Sequence, residues 1–260
     1  MTARPLKFIR KQYNHERFEE ADLRESEFIK ATFNGCHFRQ LDLRGSQFRS
    51  TVFNDCTFEK VRFTHSFFSK TSLDEFAVKC SNCLISKCDF NQISTDLSHF
   101  HELRFEHCKF KGTDFSGAQL SNVKFIGKVE GCSFLPTAEV LKNGLLAGLF
   151  LRTKSLTTSY KNVDFTAAQL IGITLNGFDK AEVKLPVGPE YLYLDDASPI
   201  LNEVRTALKN SDSNLVALFD GLYALPPNAR NAFFDSNDFK EDWEFQVFET
   251  IKETQAQRSQ

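Results

Sequence analysis

The chain has 260 residues, a formal net charge of −2 and an isoelectric point near 6.3, so nothing global calls for a nucleic acid or an anionic membrane as partner. It contains 28 Phe but one Met and one Trp, which indicates one type of buried slot used repeatedly. No stretch reaches the roughly 18 apolar residues of a membrane span, and the N-terminus lacks the apolar run of a secretory signal. We therefore expect a cytoplasmic protein whose seven cysteines are reduced thiols.

The first segment, residues 1–15, carries four basic residues and no acidic one. We interpret it as a flexible, solvated leader. Contact of this leader with an acidic partner or a membrane surface is the alternative interpretation.

A strict five-residue repeat begins at Phe18. Every fifth residue from there to Leu73 is Phe or Leu, and from Ala21 onward the residue two positions before each is small or modest in size. This period matches neither a helix nor a flat strand. A chain that turns a right-angled corner every five residues has this period. In such a chain the central Phe or Leu and the smaller residue two positions before it both point inward. The central core residues predicted in this first series are Phe18, Leu23, Phe28, Phe33, Phe38, Leu43, Phe48, Phe53, Phe58, Phe63 and Phe68.

Four such sides close one coil of about twenty residues, and coils stack at roughly the 4.8 Å spacing of paired strands. Residues twenty apart then become neighbours and form inner columns of aromatic rings. The outward positions form rows as well, of which two are Glu19, Arg39, Glu59 and Asp22, Asp42, Arg62. We expect these rows to support solubility and register, at up to about 1 kcal/mol per pair.

The repeat is interrupted twice. Leu73 and Ile85 are twelve residues apart, two more than the register permits, which predicts a loop or bulge at 74–83. A second slip surrounds Phe134 and predicts an interruption at 126–144, with one helical turn between Pro136 and Asn143. The later five-step runs weakly through Leu145, Phe150, Ser155 and Tyr160. The central core residues predicted after the first break are Phe90, Phe100, Phe105, Phe110, Phe115, Leu120, Phe125, Phe165, Leu170 and Leu175.

Helix signals replace the five-step after Pro186 and Pro189, and they predict a helical segment at 190–253. Ser198 and Pro199 are a good cap and first-turn pair. A short apolar face follows at 215–222, a further helix is predicted from Asp238 to about Glu253, and residues 254–260 are expected to be disordered. Because a solenoid needs its end covered, we interpret the segment as a cap, with an acidic partner-docking module as the alternative.

Tandem units such as Ala21-Asp22-Leu23-Arg24-Glu25 and Thr113-Asp114-Phe115-Ser116-Gly117 resemble the pentapeptide-repeat family. The resemblance covers residues 16–178. It implies a β-solenoid, a right-handed quadrilateral β-helix of about seven coils, which we place at 16–185 and follow with the C-terminal helical cap or small helical module.

Several members of this family with phenylalanine at the centre protect type II topoisomerases as dimeric rods that mimic DNA. A DNA mimic should be densely acidic, yet residues 16–130 hold 17 acidic and 16 basic residues. We therefore predict a non-catalytic protein–protein interaction scaffold with an unidentified protein partner, no direct nucleic-acid contact and no membrane contact. The alternative is protection of DNA gyrase or topoisomerase IV, against quinolones or toxins, by DNA mimicry.

Candidate chemistry is sparse in this sequence. Cys80 and Cys83 form a C-x-x-C pair without the matched second pair that zinc usually requires, and Cys83 fits a small inward slot. Metal binding and a redox pair are the alternatives to packing thiols. A catalytic role for His99 and His101 would need a deep polar pocket beside them. We expect no enzyme activity, no catalytic or metal-binding residues and no cofactor.

Overall fold

The computed structural model describes residues 5–68, 77–135, 137–142, 152–175, 177–211, 216, 219–220, 231–236, 239 and 241–258. The chain forms two compact units. The first contains Met1–Thr174 and Asp179–Pro186, and the second contains Leu175–Phe178 and Val187–Gln260.

Short strands build the first unit, and most of them pair in parallel with a strand one coil away. Three-residue strands alternate with corners at the start of the unit, and longer strands that run past a corner follow. Their bounds are β1 Lys7–Ile9, β2 Gln12–Asn14, β3 Arg17–Glu19, β4 Glu27–Ile29, β5 Thr32–Asn34, β6 His37–Arg39, β7 Gln47–Arg49, β8 Val52–Asn54, β9 Thr57–Glu59, β10 Lys79–Ser86, β11 His99–Glu106, β12 Gln119–Ser121, β13 Lys124–Glu130, β14 Ser133–Phe134, β15 Thr137–Lys142, β16 Arg152–Thr157, β17 Ser159–Lys161, β18 Val163–Ile171, β19 Thr174–Leu175 and β20 Val183–Lys184.

The pairing defines four sides of the coil. Side one pairs β1, β4 and β7. Side two pairs β2, β5, β8, the first half of β10, the first half of β11, β12 and β17. Side three pairs β3, β6, β9, the second halves of β10 and β11, β13 and β18. Side four is held by single parallel bridges that link Asp22, Asp42, Arg62, Asp89 and Lys109.

The inner columns are stacks of aromatic rings. Phe28 lies 4.6 Å from Phe48 between ring centroids, and Phe38 lies 4.7 Å from Phe58 with nearly parallel rings. All the central residues predicted from the repeat are buried except Phe18, which is half-buried. Phe18 belongs to the first coil, where β3 has no strand partner on its outer edge among the described residues.

The corners of the first coils turn through residues in the left-handed conformation. In the first coil the corner residues are Arg10, His15, Glu20 and Glu25, with φ between 51° and 58°. At the corner above His15 the residue is Gly35, where a Cβ atom would lie 2.5 Å from the His15 Nδ1 atom. Glycine at that corner therefore leaves space for the imidazole ring.

The solenoid starts earlier than the sequence predicted. Strands β1 and β2 lie inside the segment 1–15 that we interpreted as a leader, so that boundary is wrong. Phe8 and Tyr13 precede Phe18 by two and one steps of five, and their rings stack on Phe28 and Phe33. Three of the basic residues that suggested a leader, Lys7, Arg10 and Lys11, lie at outward and corner positions of this coil.

The first interruption is longer than predicted and ends sooner. Phe53 pairs with Cys80, 27 residues later, so the coil contains seven extra residues rather than two. Strand β10 begins at Lys79, which places Lys79–Cys83 in the sheet and not in a loop. Leu73 and the rest of 69–76 lie outside the described residues.

The second interruption is an antiparallel hairpin. Strand β15 pairs with β16, so the helical turn predicted from Pro136 to Asn143 is wrong, and Ser155 lies in β16. Leu120 pairs with Tyr160, forty residues later, and thus the hairpin is inserted within one coil. Residues 126–130 and 133–134 stay in strands β13 and β14. Leu145 and Phe150 lie outside the described residues.

The second unit has its own hydrophobic core. Strand β21, Tyr191–Leu194, pairs antiparallel with β22, Ala232–Asp235, so the predicted helical segment 190–253 also contains a two-stranded antiparallel sheet. Helix α1 spans Ala197–Ser211 and helix α2 spans Asp242–Arg258. The core residues include Leu194, Val204, Leu208, Val247, Phe248 and Ile251.

Helix α2 ends later than expected. It runs to Arg258, so the predicted disordered tail is wrong for residues 254–258. Side chains of the last turns hold it: the Gln255 Nε2 atom donates to the Tyr193 carbonyl at 2.9 Å, and Arg258 pairs with Glu203. Most of the apolar face predicted at 215–222 lies outside the described residues. Among the described helices, none has an apolar stretch long enough to cross a membrane.

Candidate interaction surface

Side four is a row of turns as far as Lys109, and strands β13 and β18 pair along its last coils, at Lys128–Glu130. The carboxylate of its aspartates accepts a hydrogen bond from the backbone N–H two residues later, at 3.2 Å for Asp22, 3.3 Å for Asp42 and 3.0 Å for Asp89. Such a bond competes with the strand ladder and turns the chain. The Asp-x-Arg sequence of the repeat therefore produces a turned surface that exposes charged side chains.

The early half of side four is an ion-pair network. Arg24 donates two hydrogen bonds to Asp22, from Nε to Oδ1 at 2.9 Å and from Nη2 to Oδ2 at 2.7 Å. Arg44 binds Asp42 in the same way at 2.8 and 2.6 Å, and the Arg62 Nη1 atom lies 3.6 Å from Asp42 Oδ2. These side chains surround an open depression of about 770 Å³.

The arginines keep both carboxylates ionised. Hydrogen bonds from the Arg24 side chain lower the pKa of Asp22 to about 2. Partial burial opposes ionisation of Asp42, but the hydrogen bonds from Arg44 and the charge of Arg62 outweigh it, and its pKa is also lowered. The early half of side four thus keeps fixed negative charges next to fixed positive ones.

The lowered pKa of Asp22 predicts that the effect of Asp22→Asn on thermal stability depends on pH. Because the folded pKa of Asp22 lies below its unfolded value, its carboxylate stabilises the fold above about pH 4 and loses that contribution as the pH falls towards about 2. We expect the variant to melt below the wild type at pH 6 and at the same temperature near pH 2. Melting curves across this range test it, and an unchanged difference at both ends would contradict it.

The late half of side four is a second open depression, of about 420 Å³, and it is rich in lysine. Lys109, Lys111 and Lys128 line it together with His107 and Glu130. The Lys128 Nζ atom lies 2.7 Å from Glu130 Oε2. Lys109 and Lys111 form no ion pair with any residue that the structure describes, so their positive charges are not compensated locally.

The charge of side four therefore changes along the solenoid. From the fourth coil onward, its bridge row, the row beyond it and its entry corner hold four basic and two acidic residues. The basic residues are Lys87, Lys109, Lys111 and Lys128, and the acidic ones are Asp89 and Glu130. The late half presents an excess of positive charge at coil spacing.

The C-x-x-C cysteines lie inside the coil. Cys80 takes a central inward position and its ring-column neighbour is Phe53, whereas Cys83 takes the small inward slot, where its thiol contacts the Phe53 carbonyl at 3.6 Å. Burial raises the pKa of the Cys80 thiol, and a hydrogen bond with Cys83 together with burial raises that of Cys56. Both changes favour the unreactive thiol.

The two histidines singled out by the sequence lie on side two. His99 pairs with Lys79 and Gln119, and His101 pairs with Ser81. Neither histidine lines the two depressions of side four. Within the described residues, no group of His, Cys, Asp and Glu side chains is arranged to hold a metal ion.

Comparison with known families matches three segments of the first unit. A family model described as pentapeptide repeats matches residues 33–75, and another with that description matches 14–40 and 98–127. These segments are pentapeptide repeats. The pentapeptide-repeat segments include all the early ion pairs of side four and end one residue before Lys128.

Solved structures similar to this chain include two pentapeptide-type proteins at low identity. Full-length QnrB1, a plasmid-mediated fluoroquinolone resistance protein, is 15% identical, with 70% of this chain and 90% of that one covered and a TM-score of 0.33. HetL, a pentapeptide repeat protein involved in heterocyst differentiation regulation from the cyanobacterium Nostoc sp. strain PCC 7120, is 10% identical, with 65% and 84% covered and a TM-score of 0.18. A search of curated proteins gave no match.

Sequence reasoning found the early rows of side four but missed the late cluster. The spacing of twenty residues predicts that Asp22, Asp42 and Arg62 form one row. Lys109 joins that row only through Asp89, which lies 27 residues after Arg62. The signal was present as basic residues at outward repeat positions, but it could be assembled only once the length of the insertion was known.

Proposed function

We propose that this chain is a non-catalytic scaffold in the cytoplasm that binds a protein partner through side four. The observation that carries the proposal is the continuous charged surface of that side, with its two depressions, on a backbone fixed by ring stacks and parallel pairing. Preordered charges bind a partner without a large ordering cost, and they contribute mainly to specificity and association rate.

The late half of side four favours an acidic partner surface. Lys109 and Lys111 have no ion-pair partner in the described part of the chain, so a carboxylate of a partner can bind them without breaking an existing pair. Residues 1–189 carry 26 basic and 21 acidic residues, a net charge of +5, whereas 190–260 carry 13 acidic and 6 basic residues. The net positive charge of the repeat unit therefore also attracts an acidic surface.

Protection of gyrase or topoisomerase IV is the alternative function. DNA mimicry needs a dense negative surface, and the charge of the repeat unit and of late side four has the opposite sign. The alternative predicts that purified protein preserves gyrase supercoiling in the presence of a quinolone.

The test is quantitative capture of partners from the native host. Wild-type protein is compared with a triple variant of late side four, Lys109→Glu, Lys111→Glu and Lys128→Glu. We expect one or a few proteins bound by the wild type to be lost from the variant, because each reversal places like charges together. Raising the salt concentration should release the same proteins.

A matched control carries the same change of charge elsewhere: Lys30→Glu, Lys79→Glu and Lys161→Glu. It should keep the partners. Loss of partners from both variants, or from neither, would overturn side four as the interface. Capture of gyrase or topoisomerase IV subunits together with quinolone protection in the supercoiling assay would replace our proposal by the alternative.

A further inference from the structure

The depression in the late half of side four is rich in hydrogen-bond donors. Lys109, Lys111 and Lys128 supply ammonium groups to it, and His107 supplies a ring N–H. The one carboxylate among its described lining residues belongs to Glu130, which pairs with Lys128. With histidine counted as neutral, these lining residues carry a net charge of +2.

Glycine corners allow two of these side chains to lie against the next coil. A Cβ atom at Gly127 would lie 2.6 Å from the His107 Nδ1 atom, so the imidazole ring occupies the space that a larger corner residue would need. A Cβ atom at Gly131 would lie 3.5 Å from the Lys111 Cγ atom, so the stem of Lys111 runs alongside that corner. His107 and Lys111 are therefore held at the two ends of Lys128–Glu130.

A further donor lies next to Lys111. The Asn91 Oδ1 atom accepts a hydrogen bond from the Lys111 N–H at 2.8 Å, which fixes the orientation of the amide. The Asn91 Nδ2 group forms no hydrogen bond with another described residue, and the ammonium groups of Lys109 and Lys111 form no ion pair in the same part of the chain. The depression thus presents several available donors to one volume of about 420 Å³.

We propose that this depression binds the phosphate group of a phosphorylated segment of the protein partner. The inference rests on the proposed function and specifies the chemistry that side four recognises. A phosphate monoester carries a charge of about −1.5 to −2 at neutral pH and has three acceptor oxygens. It therefore matches the net charge of the lining residues and accepts hydrogen bonds from Lys109, Lys111 and Asn91 together. The carboxylate of an aspartate or glutamate has a single charge and leaves part of this site uncompensated.

The positive charge is confined to a short length of the solenoid. In the row of side four that contains Lys109, Asp89 lies one coil before it, and the uncharged Gln169 lies one coil after Lys128. The lysines of this row thus span about two coils, or roughly 10 Å at the strand spacing. Proteins that bind nucleic acids neutralise a series of backbone phosphates, and this row is too short for such a series. The arrangement favours one isolated phosphate group on a protein.

The first test is titration of the full chain with two small probes, N-acetyl-phosphoserine methylamide and N-acetyl-glutamate methylamide, at equal ionic strength. The amide signals of Lys109, Lys111 and Lys128 report binding by NMR. We expect saturable binding of the phosphoserine probe and about tenfold weaker binding of the glutamate probe, because the glutamate probe has one charge and two oxygens.

Two variants should shift the affinity for the phosphoserine probe in opposite directions. Lys111→Gln should weaken binding about fivefold, because it removes a charge that the phosphate compensates. Glu130→Gln should strengthen binding about threefold, because it removes a negative charge from the site and releases Lys128 from its ion pair. Damage to the fold does not produce such a gain in affinity.

The matched control is Lys161→Gln, which removes a lysine from an exposed outward position of side two. It should leave the affinity for the phosphoserine probe unchanged. Equal affinities for the two probes would overturn the phosphate site. An affinity that neither Lys111→Gln nor Glu130→Gln changes would overturn it as well.

The second test separates this inference from the proposed function. Partners are captured by the wild-type chain from the native host lysate before and after treatment with a protein phosphatase. We expect phosphatase treatment to remove the same partners that the triple variant of late side four fails to bind. Partners that the triple variant loses but phosphatase treatment leaves bound would keep side four as the interface and overturn the phosphorylated segment.

Two other outcomes of this test also contradict the phosphorylated segment. Binding of the phosphoserine probe without any phosphatase-sensitive partner would assign the depression to a free phosphate compound. Partners that are lost after nuclease treatment of the lysate, and not after phosphatase treatment, would assign it to a nucleic acid.

Discussion

Phe48→Asp is expected to unfold the regular coils. Phe48 is 1% exposed, and its ring lies 4.6 Å from that of Phe28 and 5.1 Å from that of Phe68. Removal of a buried phenylalanine ring alone costs about 3–5 kcal/mol, and an unpaired carboxylate in the column adds to that cost. Since whole domains are stable by about 5–15 kcal/mol, we expect the far-ultraviolet signal of the strands to be lost at 25 °C.

The control is the same substitution at Phe67, on the same side of the next coil. Phe67 bridges to Gln47, the neighbour of Phe48, but its side chain is 39% exposed and points outward. Phe67→Asp should lower the free energy of unfolding much less than Phe48→Asp, because the new carboxylate stays in contact with water. A chemical denaturation series on both variants tests the inward–outward assignment. Equal stabilities for the two would show that the register is wrong.

The regular part of the solenoid could be predicted because one side unit is set by five residues alone. From Phe18 to Phe68 the chain repeats that unit without insertions, so position in the sequence is equivalent to position in the coil. The outward rows Glu19, Arg39, Glu59 and Asp22, Asp42, Arg62 were predicted on the same basis, and the strand pairing and bridges place them together. The handedness and the number of coils stay predictions.

The length of the first interruption could not be predicted from the sequence. A five-residue period shows which residues point inward, but it does not show on which of the four sides they lie. Leu73 fits the five-residue spacing, so the break was predicted to follow it. A two-residue slip would have put Ile85 two sides after Leu73, over Phe63, whereas the seven-residue insertion puts it over Phe58. Two and seven differ by one side unit. The five-residue period therefore predicts which residues point inward but leaves open which side of the coil each of them occupies.

The sequence did not reveal the hairpin for a related reason. Leu120 and Tyr160 are forty residues apart, and forty is a multiple of five, so stepping by five passed through the hairpin and gave accidental matches such as Ser155. Cys80 was missed as a central residue because a small thiol occupies a slot that holds aromatic rings in the coils before it. The late lysines of side four could be located only after these insertions had been placed.

Asn231→Ala is expected to destabilise the second unit selectively. Asn231 is 7% exposed; its Oδ1 atom accepts from the Phe178 N–H at 3.2 Å, and its Nδ2 group donates to the Phe178 carbonyl and to the Tyr193 hydroxyl at 3.3 Å. The amide thus replaces a strand partner for Phe178, which is itself buried. Its removal leaves a buried donor and a buried acceptor without partners, which costs about 2–4 kcal/mol.

Hydrogen exchange on the full chain tests this expectation, because it reports each unit separately. Amides of α1 around Leu201 and Val204 should lose roughly 30- to 900-fold of their protection, the ratio that corresponds to that cost. Amides of side two, such as Phe100, should keep theirs. Asn202→Ala is the matched control: Asn202 is exposed on α1, and alanine there favours the helix, so protection should stay the same or rise. Equal exchange of α1 in the Asn231 variant and the wild type would mean that the contact of Asn231 with Phe178 does not hold this unit together.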